Sequence, residues 1–196
     1  SWMRVFNSRR IGQRPGFIEP DAGDIVDRPN ETTILSAAKI LGQTSTGVKY
    51  GIINAVTNQE YASLELEKDG KIVKEDFLIE PYSNYFVGRV TKPFINELSA
   101  IGLMATDLKR EGYSDVATSL KGDFLINLLD NKFSFTGEYG STINNDKTGF
   151  GGRYRISYRN PVLWELAAWG GFYDDKWDVG AMGFQQKNNN WYTGAR

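Results

Sequence analysis

Charged side chains recur at every second position along three stretches of the chain, and their chemistry is the easiest to interpret. Lys121 and Asp123 lie two residues apart, and Arg153 and Arg155 repeat that spacing. Side chains two residues apart point to the same face of a β-strand, so these charges predict polar strand faces. The predicted residues of such a polar interior, or lumen, are Lys121, Asp123, Asn127, Lys132, Glu138, Arg153, Arg155, Arg159 and Glu165.

Three kinds of chemistry suit this set of charges. Cations beside acids on the wall of a lumen select which ions or solutes pass. The same charges paired with each other would instead fix a plugged or narrow interior. The carboxylates of Asp123, Glu138 and Glu165 could in principle supply the acid and base of a glycosidase. Nothing in the sequence brings any two of these carboxylates together, so we assign no catalytic residue.

The residues between these charges are mostly apolar or aromatic, so three successive segments between 117 and 159 have one polar and one apolar face. Short turns at Asp130-Asn131 and Asn160-Pro161 alternate with a longer polar loop at 143–148. Short turns at one end of a sheet and long loops at the other are typical of bacterial outer-membrane barrels. The predicted lipid-facing residues are Leu120, Phe124, Ile126, Phe133, Phe135, Tyr139, Tyr154, Ile156, Tyr158 and Trp164.

We therefore predict an all-β protein, an antiparallel up-and-down meander that forms a transmembrane β-barrel or a large part of one. Residues 1–32 are predicted to be an irregular segment with a short first strand at Trp2–Phe6, and residues 33–196 to form the meander. The alternative is a soluble all-β domain that binds or hydrolyses carbohydrate, in which the aromatics form a core or a sugar-stacking platform.

Several details of the meander follow from the same patterns. A strand that begins near Val48 could continue to Leu66, and Lys68-Asp69-Gly70 predicts a hairpin turn. The connection at 92–97 is predicted to be longer than its end of the sheet requires. The last strand is expected near 182–186, with a polar end from Asn188.

The composition limits the chemistry further. The chain has no cysteine and no histidine, which removes thiol catalysis, disulfides, the usual general base and the commonest metal ligand. The net charge of −1, with basic and acidic residues interleaved, argues against nucleic acid as a partner. No apolar run is long enough for a transmembrane helix.

Two short motifs resemble ligand sites but lack essential residues. Gly42–Gly47 has the glycine spacing of a phosphate loop without its lysine, so a hairpin turn is the better interpretation. Asp21, Asp24 and Asp27 lack the closing glutamate of a calcium loop, since Thr32 occupies that position. We predict no metal and no cofactor. The chain opens on Ser1-Trp2 without a visible signal peptide, and we expect it to be a fragment or a processed product of a longer protein.

Five motifs in order resemble those of a family of uncharacterised bacterial outer-membrane barrels. They are Asn7–Gly12, Ala37–Gly42, Asn54–Thr57, Glu80–Arg89 and Gly102–Thr106. Members of that family resemble barrels that follow an N-terminal carbohydrate-binding module of the family-nine type, and some are labelled as hydrolases.

The resemblance implies a location in the outer membrane of a Bacteroidetes-like bacterium, with the lipid bilayer as a partner. It also implies a glycan, bound through an N-terminal module that is absent from this chain, and partner protein chains. It brings no catalytic residues. Within the motifs, Arg9, Arg10, Asn84 and Arg89 are predicted to form a polar cluster that is buried or contacts a plug.

Overall fold

The computed structural model describes residues 3–21, 23–113, 116–144, 147–160, 162, 164–184 and 189–196. Almost all of its regular structure is β-strand. The elements are a 3-10 turn (Ser8–Arg10), β1 (Asp24–Asp27), β2 (Ile34–Gln43), β3 (Lys49–Thr57), β4 (Glu60–Lys68), β5 (Lys71–Glu80), β6 (Ser83–Phe94), β7 (Asn96–Arg110), β8 (Val116–Leu128), β9 (Phe133–Asn144), β10 (Lys147–Arg159), β11 (Glu165–Tyr173) and β12 (Asn190–Ala195).

Nine of these strands form one antiparallel sheet in the order β12-β11-β10-β9-β8-β7-β6-β3-β2. The connections β2–β3, β6–β7, β8–β9 and β10–β11 lie at one end of this sheet, which we call the turn end. The connections β7–β8, β9–β10 and β11–β12 lie at the other, the loop end. The predicted all-β antiparallel meander is therefore confirmed, and the polar loop residues 145 and 146 lie outside the described part of the chain.

The sheet is not closed into a barrel. Over the described residues, β2 pairs only with β3 and β12 pairs only with β11, so both strands are free edges. Of the two predicted forms, a whole barrel or a large part of one, the described residues do not form the closed barrel, because none of their strands hydrogen-bonds across the gap between these two edges. Leu41 on β2 and Trp191 on β12 are 67% and 78% exposed, as expected for strands with one neighbour.

A β-hairpin leaves the meander at the loop end. β3 pairs directly with β6, while β4 and β5 between them form a separate three-stranded sheet with β1. The prediction that this strand could continue to Leu66 is thus wrong, since β3 ends at Thr57 and a new strand starts at Glu60. Only Asn58 and Gln59 separate the two strands, so the sequence offers no turn signal for the change of sheet. The predicted turn is present, with Asp69 and Gly70 at positive φ.

The connection predicted to be long at 92–97 is a tight turn instead. Both ends of that stretch belong to strands, and Ile95 alone separates β6 from β7 with a φ of 69°. A β-branched residue rarely adopts this conformation, so no residue type in this stretch indicates the turn. The glycine-spaced segment between β2 and β3 is a hairpin turn, closed by a hydrogen bond from the Thr44 amide to the Val48 carbonyl.

Two segments outside the strands lie against the inner face of the sheet, the face that carries Ser119 and Lys121. Residues 3–12 and 174–184 are joined by amides of Asn7 and Phe184 that donate to the carbonyls of Met182 and Arg4. We call these two segments together the interior strap. Both had been predicted to include strands, at 2–6 and 182–186, but only an isolated bridge between Arg4 and Phe184 forms. Their apolar residues signal burial rather than pairing. Residues 2 and 185–186 lie outside the described part.

The main core lies between the strap and the sheet. One cluster contains Ala55, Tyr85, Val87, Leu108 and Met182, and a second contains Met3, Val5, Trp177 and Val179. The true last strand, β12, comes after the strap, in the part of the chain predicted to be a polar end. Among the described residues there is no helix with the length and apolarity needed to cross a membrane.

The segment between the strap and β2 is partly ordered by one buried carboxylate. Glu80 accepts hydrogen bonds from the amides of Gly16 and Phe17, both at 3.1 Å. The Arg110 guanidinium lies 4.2 Å from the centre of the Phe17 ring and 3.9 Å from Glu80. This segment, predicted to be irregular, also contains β1, which pairs with β4.

Candidate functional site: the polar inner face of the sheet

Along β8, β9 and β10 the sheet exposes its apolar face and buries its polar one. On the outer face Leu120, Tyr139 and Tyr154 are 47%, 56% and 46% exposed. On the inner face, one residue away along the strand, Lys121 is 1% exposed and Ser119 is 5% exposed. Water-soluble sheets bury their apolar face, so this distribution is inverted.

Aromatic rings on the outer face lie over glycines of the neighbouring strand. Phe124 covers Gly137, Tyr154 covers Gly170 and Phe172 covers Gly152, so that a Cβ at any of these glycines would meet the ring. Such pairs fill the space left by glycine and hold adjacent strands in register. They also keep the outer face apolar at these positions, where glycine has no side chain of its own.

The loop-end half of the inner face is closed by the strap and by a buried ion pair. The Lys121 ammonium lies 3.6 Å from the Glu138 carboxylate and 3.3 Å from the Met3 carbonyl oxygen. The Met3 amide donates to the other Glu138 oxygen at 2.7 Å. Both charges thus bond each other and the strap backbone, which satisfies polar groups removed from water.

Glycines on the inner face of β9 and β10 make room for the strap. A Cβ at Gly140 would lie 3.1 Å from the Trp177 ring and 3.3 Å from the Met3 methyl group. A Cβ at Gly149 would collide with the backbone of Lys176 and Trp177. Glycine in a strand interior often marks a close approach of another backbone, and here that backbone is the strap.

A second ion pair lies midway along the inner face. The Arg89 guanidinium donates two hydrogen bonds to Asp123, at 2.8 and 2.9 Å. This pair extends across the intervening strand β7 at Gly102, where a Cβ would come within 2.9 Å of the pair. Beside it is a cleft of about 320 Å³. Its inner-face lining includes Arg89, Ala100, Asp123, Leu125, Thr136, Glu138 and Arg153.

The turn-end half of the inner face carries three arginines around one acid. Arg155, Arg159 and Arg196 approach the Glu165 carboxylate at 2.7, 3.2 and 3.4 Å. The Arg155 guanidinium also lies 5.7 Å from the centre of the Trp169 ring. No segment of the strap reaches these residues by any hydrogen bond between described residues.

The other predicted interior residues lie on the same face but have separate partners. The Asn127 side chain donates to the Leu98 carbonyl oxygen, and the Asn127 backbone amide donates to the Ser99 hydroxyl. Lys132 is exposed in the turn between β8 and β9. Arg153 is half-buried and opposite Glu138 in the strand register.

The predicted lipid-facing residues share the outer face through the alternation of β8, β9 and β10, apart from Trp164, which precedes β11 and contacts the Tyr158 ring at 5.5 Å. Leu120, Tyr139, Tyr154, Ile156, Tyr158 and Trp164 are exposed. Phe124, Ile126, Phe133 and Phe135 are half-buried by their neighbours, as in the edge-on contact between Phe124 and Phe135. Contact with lipid remains a prediction.

The polar cluster predicted from Arg9, Arg10, Asn84 and Arg89 is not assembled. Arg89 bonds Asp123, whereas Asn84 on the opposite face accepts from the Asn54 side chain. Arg10 donates to the Gly183 carbonyl oxygen inside the strap, and Arg9 is exposed. The motifs place these residues on different elements whose directions the sequence does not indicate.

The geometry does not build an acid and base pair. Asp123 and Glu138 are opposite each other in the register of β8 and β9, but each carboxylate is neutralised by a cation, Arg89 or Lys121. Glu165 lies farther along the sheet among its arginines. Over the described residues, no three acidic side chains come close enough to hold a metal ion.

Several residues of the inner face were missed from the sequence. Arg196 completes the arginine cluster, and Met3 and Trp177 cover the Lys121–Glu138 pair. The glycines Gly149 and Gly151 gave a usable signal, because they alternate on the polar row of β10 and so predict a close approach of another segment to that face.

Comparison with protein families gives one result that covers the whole sheet. The model of DUF5916, a domain of unknown function, matches residues 2–196. The chain belongs to this family. The comparison with curated proteins finds no match, and neither does the comparison with solved structures.

Proposed function

We propose that the nine-stranded sheet is the wall of an outer-membrane β-barrel, with its outer face against lipid and its inner face toward a water-filled interior. Further strands, paired to the free edges of β2 and β12, would complete the barrel. The observation that supports this is the inverted burial: exposed aromatic and aliphatic side chains on one face, buried Lys121, Ser119 and Thr142 on the other.

The strand lengths suit a bilayer. A spanning strand needs roughly 9 to 11 tilted residues, and β8, β9 and β10 have 13, 12 and 13. The apolar row of β8 runs from Leu120 to Leu128. Nearer the loop end the outer face becomes polar, with Asp107 bonded to Thr118 and Asn54 bonded to Asn84. A lipid-facing band would end at this boundary.

The inner face supports solute passage that the strap restricts. The strap fills the loop-end half, while the turn-end half keeps the cleft at Arg89 and Asp123 and the arginines around Glu165 exposed. We therefore propose a channel or transporter that is closed at one end by its own strap, with charged residues along the open half that select the solute.

Single cysteines test the membrane location, because the chain has none of its own. Leu103→Cys and Tyr139→Cys place thiols on the outer face at residues that are 50% and 56% exposed in the chain. Lys71→Cys in the β4–β5 turn region and Asp130→Cys in the β8–β9 turn are matched controls at exposed positions. Each variant is treated in isolated outer membranes with a water-soluble maleimide, before and after detergent.

If the outer face contacts lipid, the two outer-face thiols resist the reagent in intact membranes, whereas both control thiols react once the reagent has access to both sides. Rapid labelling of Leu103→Cys and Tyr139→Cys without detergent would rule out the barrel. Release of the chain from membranes by urea and high salt would do the same, and would favour a soluble glycan-binding domain.

A further inference from the structure

The arginine cluster at the turn end contains more positive charge than its acid balances. Three guanidinium groups lie within 3.4 Å of the single Glu165 carboxylate, so these four side chains together carry a net charge of +2. The other ion pairs of the inner face, Arg89 with Asp123 and Lys121 with Glu138, each match one cation with one acid. Around Glu165, by contrast, one acid is shared by three cations.

Converging like charges repel each other unless an anion lies among them. Glu165 supplies one such anion, but its two oxygens are shared by three cations. Repulsion is reduced by water for Arg159 and Arg196, whose side chains are 69% and 64% exposed, and less so for Arg155, which is 25% exposed. A second anion would relieve the remaining repulsion.

The cluster also has hydrogen-bond donors to offer. Arg159 and Arg196 each use one terminal nitrogen on Glu165, and neither makes another side-chain hydrogen bond to a described residue. A guanidinium has five N–H donors in a planar fork that matches carboxylate and phosphate oxygens. Arg155 is held in place from both sides, by Glu165 and by the Trp169 ring.

We propose that Arg155, Arg159 and Arg196 form a binding site for the carboxylate or phosphate group of a water-soluble solute. Arg155 and Glu165 fix the base of the site, and the exposed forks of Arg159 and Arg196 close on the ligand from the open side. The site lies on the polar face, away from the outer aromatic rows.

The arginine site would give the proposed channel a solute class, but binding at the site does not depend on the membrane. Binding is measured on the chain wherever the chain resides. The labelling experiment above and the titration below therefore fail independently.

The test is calorimetric titration of the full chain with inorganic phosphate, in neutral detergent and at a constant ionic strength of about 0.15 M, where general screening is held fixed. The main variant is Arg159→Gln combined with Arg196→Gln. Both residues are largely exposed, so the sheet should keep its fold, which circular dichroism checks. Arg9→Gln, an exposed arginine of the strap, is the matched control.

The expected result is saturable binding with one site, weakened about tenfold or more in the double variant and unchanged in Arg9→Gln. Absence of saturable binding to the unmodified chain would overturn the site, as would equal affinities for the chain and the folded double variant. Displacement of phosphate by equimolar phosphatidylglycerol in the micelle would assign the site to a lipid headgroup and overturn the solute.

Discussion

The two halves of the inner face differ in how their charged side chains are paired and covered. In the loop-end half, Lys121 and Glu138 are covered by the strap and bonded to its backbone. In the turn-end half, Arg155, Arg159 and Arg196 crowd around Glu165, and no hydrogen bond between described residues joins them to the strap. One half has matched charges in a packed interior, and the other has unmatched charges open to water.

The polar face is therefore not uniform in its energetics. Removing either partner of a matched, buried pair lowers the stability of the fold, because it leaves a desolvated charge behind. Unmatched, exposed charges add little stability and remain available for a ligand. Substitutions in the two halves should therefore differ in size and in their response to salt.

The largest effect is expected for Lys121→Met. The change removes a buried cation and leaves the half-buried Glu138 without it, and should lower the free energy of unfolding by about 3 to 5 kcal/mol. Urea denaturation in detergent micelles measures the loss. Arg89→Met, in the more exposed pair with Asp123, should cost about 1 kcal/mol. Equal losses in both variants would show that the strap does not bury the first pair more effectively.

Gly149→Ala should separate the strap from the sheet at a cost of roughly 3 kcal/mol, since the added Cβ meets backbone that has no rotamer to change. Hydrogen exchange at 3–12 and 174–184 should accelerate while exchange in β8 stays slow. Gly122→Ala is the control, because a Cβ there has nothing within 4 Å. Unchanged exchange in the strap of Gly149→Ala would contradict the close approach.

A smaller and salt-dependent effect is expected for Glu165→Gln. Loss of the only acid leaves three arginines repelling each other, so stability should fall by about 1 kcal/mol at low salt and recover as salt screens the charges. Thermal unfolding at two salt concentrations measures the difference. Lys121→Met should show no such recovery, because its charges are buried. A loss in Glu165→Gln that salt does not reverse would remove the contrast between the halves.

The smallest effect is expected at low pH, in residues 13–20, which follow the first segment of the strap. The Arg28 guanidinium donates hydrogen bonds to Glu19 and lowers the pKa of that carboxyl below its ordinary value of 4.5, and the charge of Arg14 acts in the same direction. The pKa of Glu19 is thus lower in the folded chain than in the unfolded chain. The hydrogen bond to Arg28 therefore stabilises the fold at pH values above the unfolded pKa, and this stabilisation is lost as the pH falls through the folded pKa.

Amide exchange at 13–20 should therefore rise below about pH 4.5, before the strap amides respond. Glu19→Gln should remove this part of the pH dependence. If the strap opened together with this segment in the unmodified chain, the strap would not be an independent unit.

The sequence predicted the faces of the strands better than their connections. Leu120 and Lys121 fall on opposite faces because an alternation of side chains holds wherever a strand forms, whether in water or lipid. Asp69-Gly70 was readable as a turn because the second of its two residues at positive φ is a glycine. Ile95 makes an equally tight turn with a residue that disfavours it, so no local rule reveals it.

The candidate site was only partly readable. The charges of β8, β9 and β10 were found, but pairing depends on which strands are neighbours, and Arg89 reaches Asp123 across β7. Gly149 and Gly151 indicate that another segment approaches the inner face, but not which one, because Met3 meets Glu138 and Trp177 meets Gly140 far away along the chain. Local periodicity contains no information on such contacts.

The span of the strap contacts also sets an order of events during folding. The Met3 amide and Glu138 are 135 residues apart, and Arg10 and Gly183 are 173 apart. Each neighbouring hairpin of β7 to β11 closes over a far shorter loop, and short loops close sooner. We therefore expect the strap to dock last, with the inner face hydrated until then. The strap amides should therefore become protected from hydrogen exchange only after the sheet is complete.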